Sequence, residues 1–386
     1  MTLTARRTEP VSILQRERPL RPDLFIVLPY LALSGLGIIM VYTASRSGLE
    51  TRGADPTSLM KRHVVFVAVG LVVFLAASLL ETRALRALAP AVYGGALLTL
   101  ALVLTPLGSI VNDARRWISV GIFNFQPSEI AKIGVIMALA RLLATADERV
   151  RWDHIARAAM LVAIPAVLIF EQPDLGTMLV FGFIAVVMVF AAGTSWRQLA
   201  FLVIGAVVGA VGIFQSGRLR AFQLERLTAF LDPTEDLAAT ALYNQIQSEI
   251  AIGSGGLLGK GLFEGTQTNL SFVPEQSTDF IFTAVGEQLG FVGGTIVIGL
   301  FGLLTWRMLV AAANGRDRFS QLTAVGIAAM FMFHVFVNIG MTVRLMPVTG
   351  LPLPFLSAGG TAFVAFSAGL GITHAIWMRR SPVPGE

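Results

Sequence analysis

Apolar runs long enough to cross a lipid bilayer recur from one end of this chain to the other. A helix needs roughly 17–25 such residues to bridge ~30 Å of hydrocarbon. Runs near that size fall at 24–44, 62–80, 87–106, 127–144, 154–170, 175–192, 198–214, 280–305, 321–343 and 357–377. Of the 386 residues, 55% are hydrophobic and only 14% charged, too little polar surface to wrap a soluble fold of this length. The runs are continuous rather than alternating, which argues against a β-barrel and leaves helices that satisfy their own backbone in lipid. The expected fold is an all-α polytopic membrane protein of about ten transmembrane helices.

Charge orients those helices. The net charge of +5 could suggest nucleic acid, but no basic stripe with interleaved aromatics is present, so no nucleic-acid partner is expected. Arginine retained in cytoplasmic loops explains it instead. With the N-terminus inside, the inner face holds Arg6, Arg7, Arg16, Arg18, Arg21, Arg83, Arg86, Arg149, Arg151, Arg157, Arg197, Arg307, Arg316, Arg318, Arg379 and Arg380. The short outer loops hold fewer: Arg46, Arg52, Lys61, Arg62, Arg115, Arg116 and Arg344. Both termini are therefore expected in the cytoplasm, as a tail over 1–23 and another over 378–386, flanking one membrane domain over 24–377. Arg6–Arg7 is not followed by a short apolar core and small-residue cleavage site, so the first run reads as an uncleaved helix. Cysteine is absent, which removes disulfides, thiolate metal sites and cysteine nucleophiles.

One connection stands apart. Residues 215–278 form a long, Gly-rich extracytoplasmic loop between the seventh and eighth spans. A connection of that length carries function or disorder, and its apolar patches TAFL and AIGSGGLLG suggest folding back onto the membrane surface.

Four polar strings fall on the outer side. In RRWISVGIFNFQPSEIAK (115–132), Pro127 suits a first helical turn, and Glu129 and Lys132 share one helical face inside the apolar region. A structural ion pair is one reading; the other makes Lys132, with Arg115 or Arg116, an anion-binding group. Trp117 fits an aromatic belt or a contact with substrate. In QPDLGT (172–177), Asp174 suits a helix cap. The long loop supplies Arg226 in RLTAFLDP and Lys260 in GSGGLLGKG, the latter without Walker spacing. In SFVPEQSTDFIF (271–282), Ser277 or Thr278 is expected to cap a helix starting at Asp279, and Glu275 stands beside it. Asp279 is either a cap or dipole partner, or a base facing several cations.

These strings, together with NIGMTVRLMPVTGLPLPFLSAGGT (338–361), resemble the SEDS family (shape, elongation, division and sporulation) over roughly residues 24–377. GTQ at 265–267 and PEQ at 274–276 are more similar to the RodA-like elongation branch than to the FtsW-like division branch. The resemblance implies a peptidoglycan glycosyltransferase of the bacterial cytoplasmic (inner) membrane that polymerises lipid II on the outer face. It also implies a class B penicillin-binding protein and elongation-complex membrane proteins as partners. The family's essential aspartate falls on Asp279, its Arg-Trp pair on Arg116 and Trp117, and its PSE-x-x-K pair on Glu129 and Lys132. Ser277, Ala358 and Arg344 depart from the family pattern, where histidine, tyrosine and a small residue are usual.

The chemistry so implied is inverting displacement of undecaprenyl diphosphate by a sugar 4-hydroxyl. Asp279 would be the catalytic base. Arg115, Arg116, Lys132, Arg226 and Lys260 are the cations available to the diphosphate, with Trp117, Glu129 and Glu275 completing the substrate-binding set. A divalent cation (Mg or Mn) could bridge carboxylate and diphosphate, though no ligand set demands one. The alternatives are a lipid II flippase, which would place its polar groups at broken helices near the midplane, and a non-catalytic scaffold for the penicillin-binding protein, which has no need of Asp279.

Overall fold

A computed structural model describes residues 21–111, 114–121, 123–146, 150–217, 219–231 and 239–380. Arg6, Arg7, Arg16, Arg18, Arg149, most of the N-terminal tail and residues 381–386 lie outside the described residues.

Among the described residues, eight helices are long and apolar enough to span a membrane. They are α1 (Leu24–Thr51), α2 (Ser58–Leu79), α3 (Thr82–Val103), α5 (Trp152–Phe170), α7 (Trp196–Gln215), α11 (Ile281–Ala313), α12 (Arg318–Thr342) and α13 (Gly360–Met378). The other two expected spans are α4 (Pro127–Leu143) and α6 (Leu175–Ala191), of 17 residues each. At 1.5 Å per residue they reach about 26 Å. α6 is apolar. α4 carries Glu129, Lys132 and Arg141, and it sits among α3, α5, α6, α12 and α13 with most of its side chains buried. Glu129 and Lys132 are thus kept from lipid by neighbouring helices, the arrangement that makes intramembrane charge tolerable, while Arg141 is exposed in the last turn.

The helix starts follow local chemistry. Asp23 accepts from the Phe25 amide ahead of α1 (3.0 Å), and Asp317 from the Ser320 amide in α12 (2.7 Å). Pro127 opens α4, where its missing N–H costs nothing. At the end of the bundle that holds both described termini, buried polar groups tie helices together. Arg307 donates to Asp23 Oδ2 through Nε (2.8 Å) and Nη2 (2.6 Å), and its guanidinium stacks 4.2 Å from the Trp377 ring.

The opposite end carries what the apolar pattern did not announce. Between α3 and α4 lies a three-stranded antiparallel sheet, β1 (Gly108–Val111), β2 (Ala114–Val120) and β3 (Phe123–Phe125). Ser109 pairs with Trp117, and Ile118 with Phe125. The long connection contains α8 (Ala221–Leu231), α9 (Ala239–Ser254) and the short α10 (Thr266–Asn269).

That connection is laced to α11. The amides of Lys260 and Gly261 donate to the carbonyls of Glu287 (3.0 Å) and Gln288 (3.2 Å), while those of Phe291 and Val292 donate to Gly256 (2.9 Å) and Leu257 (3.1 Å). α11 bends between the two pairs at Gly290, whose φ of 66° and ψ of −165° suit glycine alone. A Cβ there would also lie 2.2 Å from the Gly259 nitrogen.

Candidate active site

A cavity of about 920 Å³ opens at the end of the bundle that carries the sheet and α8–α10. Its walls come from the starts of α2, α4, α6 and α13, from β2 and β3, from α8, and from the segments leading into α11 and α13. Six of the sequence-derived candidates line it: Arg116, Trp117, Glu129, Arg226, Glu275 and Asp279. Arg115, Lys132 and Lys260 do not line it.

Asp279 occupies the turn before α11. Its amide donates to the Glu275 carbonyl (3.0 Å), and its own carbonyl accepts from Asn338 Nδ2 (2.7 Å). The same Asn338 amide group donates to the Leu351 carbonyl (2.7 Å), clamping the two segments that border the carboxylate. The expected cap is not formed. α11 begins at Ile281 behind Phe280, no side chain caps it, and the Thr278 hydroxyl donates to Glu275 Oε2 instead (3.2 Å). The Asp279 carboxylate lines the cavity, with the Thr278 side chain also bonded to it.

Arg226, on α8, converges on the same point. A Cβ added to Gly350, where φ is +74°, would stand 3.4 Å from both Arg226 Nη1 and Asp279 Oδ2. Glycine there leaves room for the guanidinium and carboxylate to flank one chain segment. Asp279 is partly open to the cavity but ringed by protein. Burial pushes its carboxyl up to about 6; Arg226 opposes the rise, and the nearby Glu275 adds to it. Burial also draws the Arg226 guanidinium below its usual range, with Asp279 opposing, but an arginine remains charged at any physiological pH.

Arg116 and Asp174 form the next stretch of wall. The Arg116 Nε donates to the Gln172 carbonyl (3.1 Å) and its Nη2 to that of Pro173. This fastens β2 to the start of α6; among the described residues Arg116 makes no salt bridge, though its charge acts on Asp279. Asp174 caps α6 as its sequence context suggested, accepting from the Thr177 amide (3.1 Å) and hydroxyl (2.9 Å), and it also lines the cavity.

The remaining candidates are drawn elsewhere. Arg115 donates to the carbonyls of Leu104 (3.4 Å) and Thr105 (3.2 Å) at the end of α3. Lys132 is 0% exposed, its Nζ 2.8 Å from Glu129 Oε1 and 2.9 Å from His334 Nε2. His334 bonds the Met330 carbonyl through Nδ1 (2.9 Å), so Nδ1 carries the proton and Nε2 is the acceptor for the ammonium. Lys260 binds Glu287 (3.0 Å) and Thr266 (2.6 Å). Buried Glu287 also accepts from the amides of Gln267 (2.8 Å) and Thr268 (3.0 Å). Each of these cations is consumed by internal partners; the i,i+3 spacing announced Glu129 for Lys132, whereas no local pattern reveals His334, Glu287 or the carbonyls that hold Arg115. The cavity meanwhile includes Arg62 and His63 on α2, which sequence reasoning passed over as loop charge and span start.

Among the described residues, no group of three or more His, Cys, Asp or Glu side chains is placed to hold a metal ion. Glu275 and Asp279 could offer oxygens to Mg or Mn only if a substrate diphosphate and water supplied the rest.

The model of a family described as "Cell cycle protein", comprising FtsW, RodA and SpoVE, matches residues 24–381. The chain is 36% identical over 361 residues to the peptidoglycan glycosyltransferase MrdB of Escherichia coli (strain K12), covering 94% of each. It is 34% identical over 369 residues to the probable peptidoglycan glycosyltransferase FtsW of Trichlorobacter lovleyi, covering 94% of this chain and 96% of that one. A chain from a solved structure described as "Structural coordination of polymerization and crosslinking by a peptidoglycan synthase complex" superposes with a TM-score of 0.78 at 34% identity, covering 94% of this chain and 99% of that one.

Proposed function

The chain belongs to the cell cycle protein family of FtsW, RodA and SpoVE, and from that premise we propose that this peptidoglycan glycosyltransferase polymerises lipid II, with Asp279 as its base. The observation that carries the reading is Asp279 itself. It is a carboxylate lining a large cavity beside Arg226, with its proton affinity raised toward neutrality.

A general base works best when its pKa lies near the operating pH. As the acceptor 4-hydroxyl attacks the donor's anomeric carbon, its proton passes to an Asp279 oxygen and the new C–O bond forms. On the opposite side, the bond from that carbon to the diphosphate oxygen breaks, and undecaprenyl diphosphate leaves with the electron pair. Attack from the side opposite the leaving group inverts the centre, turning an α-linked donor into a β-1,4 product. Arg116 and Arg226 supply positive charge to the departing anion, where fixed charge in a poorly hydrated site is most effective. A bound divalent ion would add further charge at the diphosphate. Asn338 and the Thr278–Glu275 contact hold the turn that aims the base.

The cavity end faces outside the bacterial inner membrane in this reading. Support comes from the many arginines at the terminal end, among them Arg83, Arg86, Arg307, Arg316, Arg318, Arg379 and Arg380, as expected of a cytoplasmic face. The superposition on a chain of a peptidoglycan synthase complex supports a crosslinking partner, which in this reading is a class B penicillin-binding protein of cell elongation.

The test is direct. Purified chain, alone and with its penicillin-binding partner, is incubated with labelled lipid II and the products are resolved on a gel. The reading expects a ladder of glycan strands. A transporter or scaffold leaves lipid II unpolymerised in both arms, and that result would overturn the assignment.

A further inference from the structure

The wall of the cavity between α2 and α13 carries groups that the reaction described above does not use. Helix α13 begins at Gly360 behind Gly359, and no side chain caps it. The first N–H groups of a helix have no partner within it, and Gly360, Thr361 and Ala362 line the cavity, while the Gly359 amide donates to the Ser357 carbonyl (2.8 Å). Beside that turn stands His63, 2% exposed, with its ring meeting Phe363 edge-on at 5.7 Å. Among the described residues its Nε2 has no hydrogen-bond partner, and the residue lines the same cavity. A buried polar atom left without a partner is destabilising, so a ligand that reaches this nitrogen gains a hydrogen bond that the described residues do not supply.

The two features point to the same chemistry. A helix N-terminus favours oxygen-rich anions, and an imidazole N–H donates to a phosphate oxygen. Arg62, next in sequence, also lines the cavity. Glu129 lines it too, but Lys132 neutralises that carboxylate at 2.8 Å. The site adjoins the base: the Ala358 amide donates to the Ser277 carbonyl at 2.8 Å, joining the approach to α13 to the segment that ends at Asp279.

We propose that the N-terminus of α13 and His63 form the subsite for the diphosphate of the lipid-linked donor. The inference rests on the glycosyltransferase reading and deepens it. Arg116 and Arg226 supply charge, while the α13 amides and His63 supply the directional hydrogen bonds that fix the leaving group relative to Asp279.

The test titrates the purified full chain with farnesyl diphosphate, inorganic pyrophosphate and farnesol. His63→Met keeps bulk and loses the donor; His63→Gln keeps a donor. His63→Met should weaken farnesyl diphosphate and pyrophosphate about tenfold, His63→Gln by no more than about threefold, and farnesol should bind all three proteins alike. In wild type, ¹⁵N-histidine NMR should show the His63 ring nitrogens shifting with either diphosphate and not with farnesol, which covers the case of a variant that does not fold. Unchanged diphosphate affinity in His63→Met, an equal loss for farnesol, or no His63 shift would overturn the subsite. Binding through His63 in a wild-type protein that makes no glycan would sink the glycosyltransferase reading alone. Glycan synthesis with normal diphosphate binding in His63→Met would sink the subsite alone.

Discussion

At the scale of single residues, burial decides what each charge does. Asp279 and Lys132 are both ionisable groups in poorly hydrated places, yet one opens to a cavity and the other is closed in by Glu129 and His334. The raised proton affinity of Asp279 has a sign that can be followed with pH. Its folded-state value of about 6 lies above the usual carboxylate range, so the base is protonated and idle in mild acid. Polymerisation should fall about tenfold per pH unit below about 6 and level off above it; a rate that stays flat down to pH 5 would contradict the assignment. The same shift makes protonated Asp279 stabilising at low pH, a contribution lost as pH rises through about 6. Ionised Asp279 therefore lowers stability at neutral pH. For the buried pair, Glu129→Gln and Lys132→Met should each lower the melting temperature, with a cost of about 3–5 kcal/mol for stranding the partner charge. The double variant should be less destabilised than the sum of the two. Strict additivity in a thermal melt would argue against direct pairing.

At the scale of elements, the bends and short pieces matter as much as the spans. α11 combines a long apolar helix with a bend at Gly290 that accepts the chain from α9 against its side. Gly290→Ala would impose a left-handed conformation on a residue with a Cβ and place that Cβ 2.2 Å from the Gly259 nitrogen. The strain alone is of order 1–3 kcal/mol. A clear drop in melting temperature is expected in detergent, together with easier proteolysis within residues 255–265; an unchanged melt would mean that the contact between Gly259 and Gly290 yields freely. The sheet over β1–β3 works in the same way, as a small rigid platform. It holds Arg116 and Trp117 on the cavity wall while Arg116 pins the start of α6.

At the scale of the molecule, lipid makes the spans legible and tertiary contact makes the site only partly so. The apolar runs that begin near residues 127, 175 and 198 became helices with almost the same limits, because a backbone crossing hydrocarbon has no alternative to internal hydrogen bonding. The sheet after α3 was not foreseen: ARRWISV is short, and its pairing depends on residues brought alongside by a turn. Six site candidates met in one cavity because β2, the start of α4, α8 and the turn before α11 all lie at the same end of the bundle. Lys260 was misplaced for want of any local sign that Glu287, 27 residues on, would claim it. His63 was missed because a lone histidine at the start of a span says nothing until α13 is seen beside it. What unites these parts is the claim that the cavity exists to let Asp279 take a proton from a sugar hydroxyl. The measurement that tests it most directly is the rate of lipid II polymerisation by Asp279→Asn, assayed with the penicillin-binding partner and accompanied by a melting curve. Asp279→Asn is expected to be at least as heat-stable as wild type at neutral pH, with polymerisation reduced by ~10²-fold or more. Polymerisation at the wild-type rate by a folded Asp279→Asn would contradict the claim.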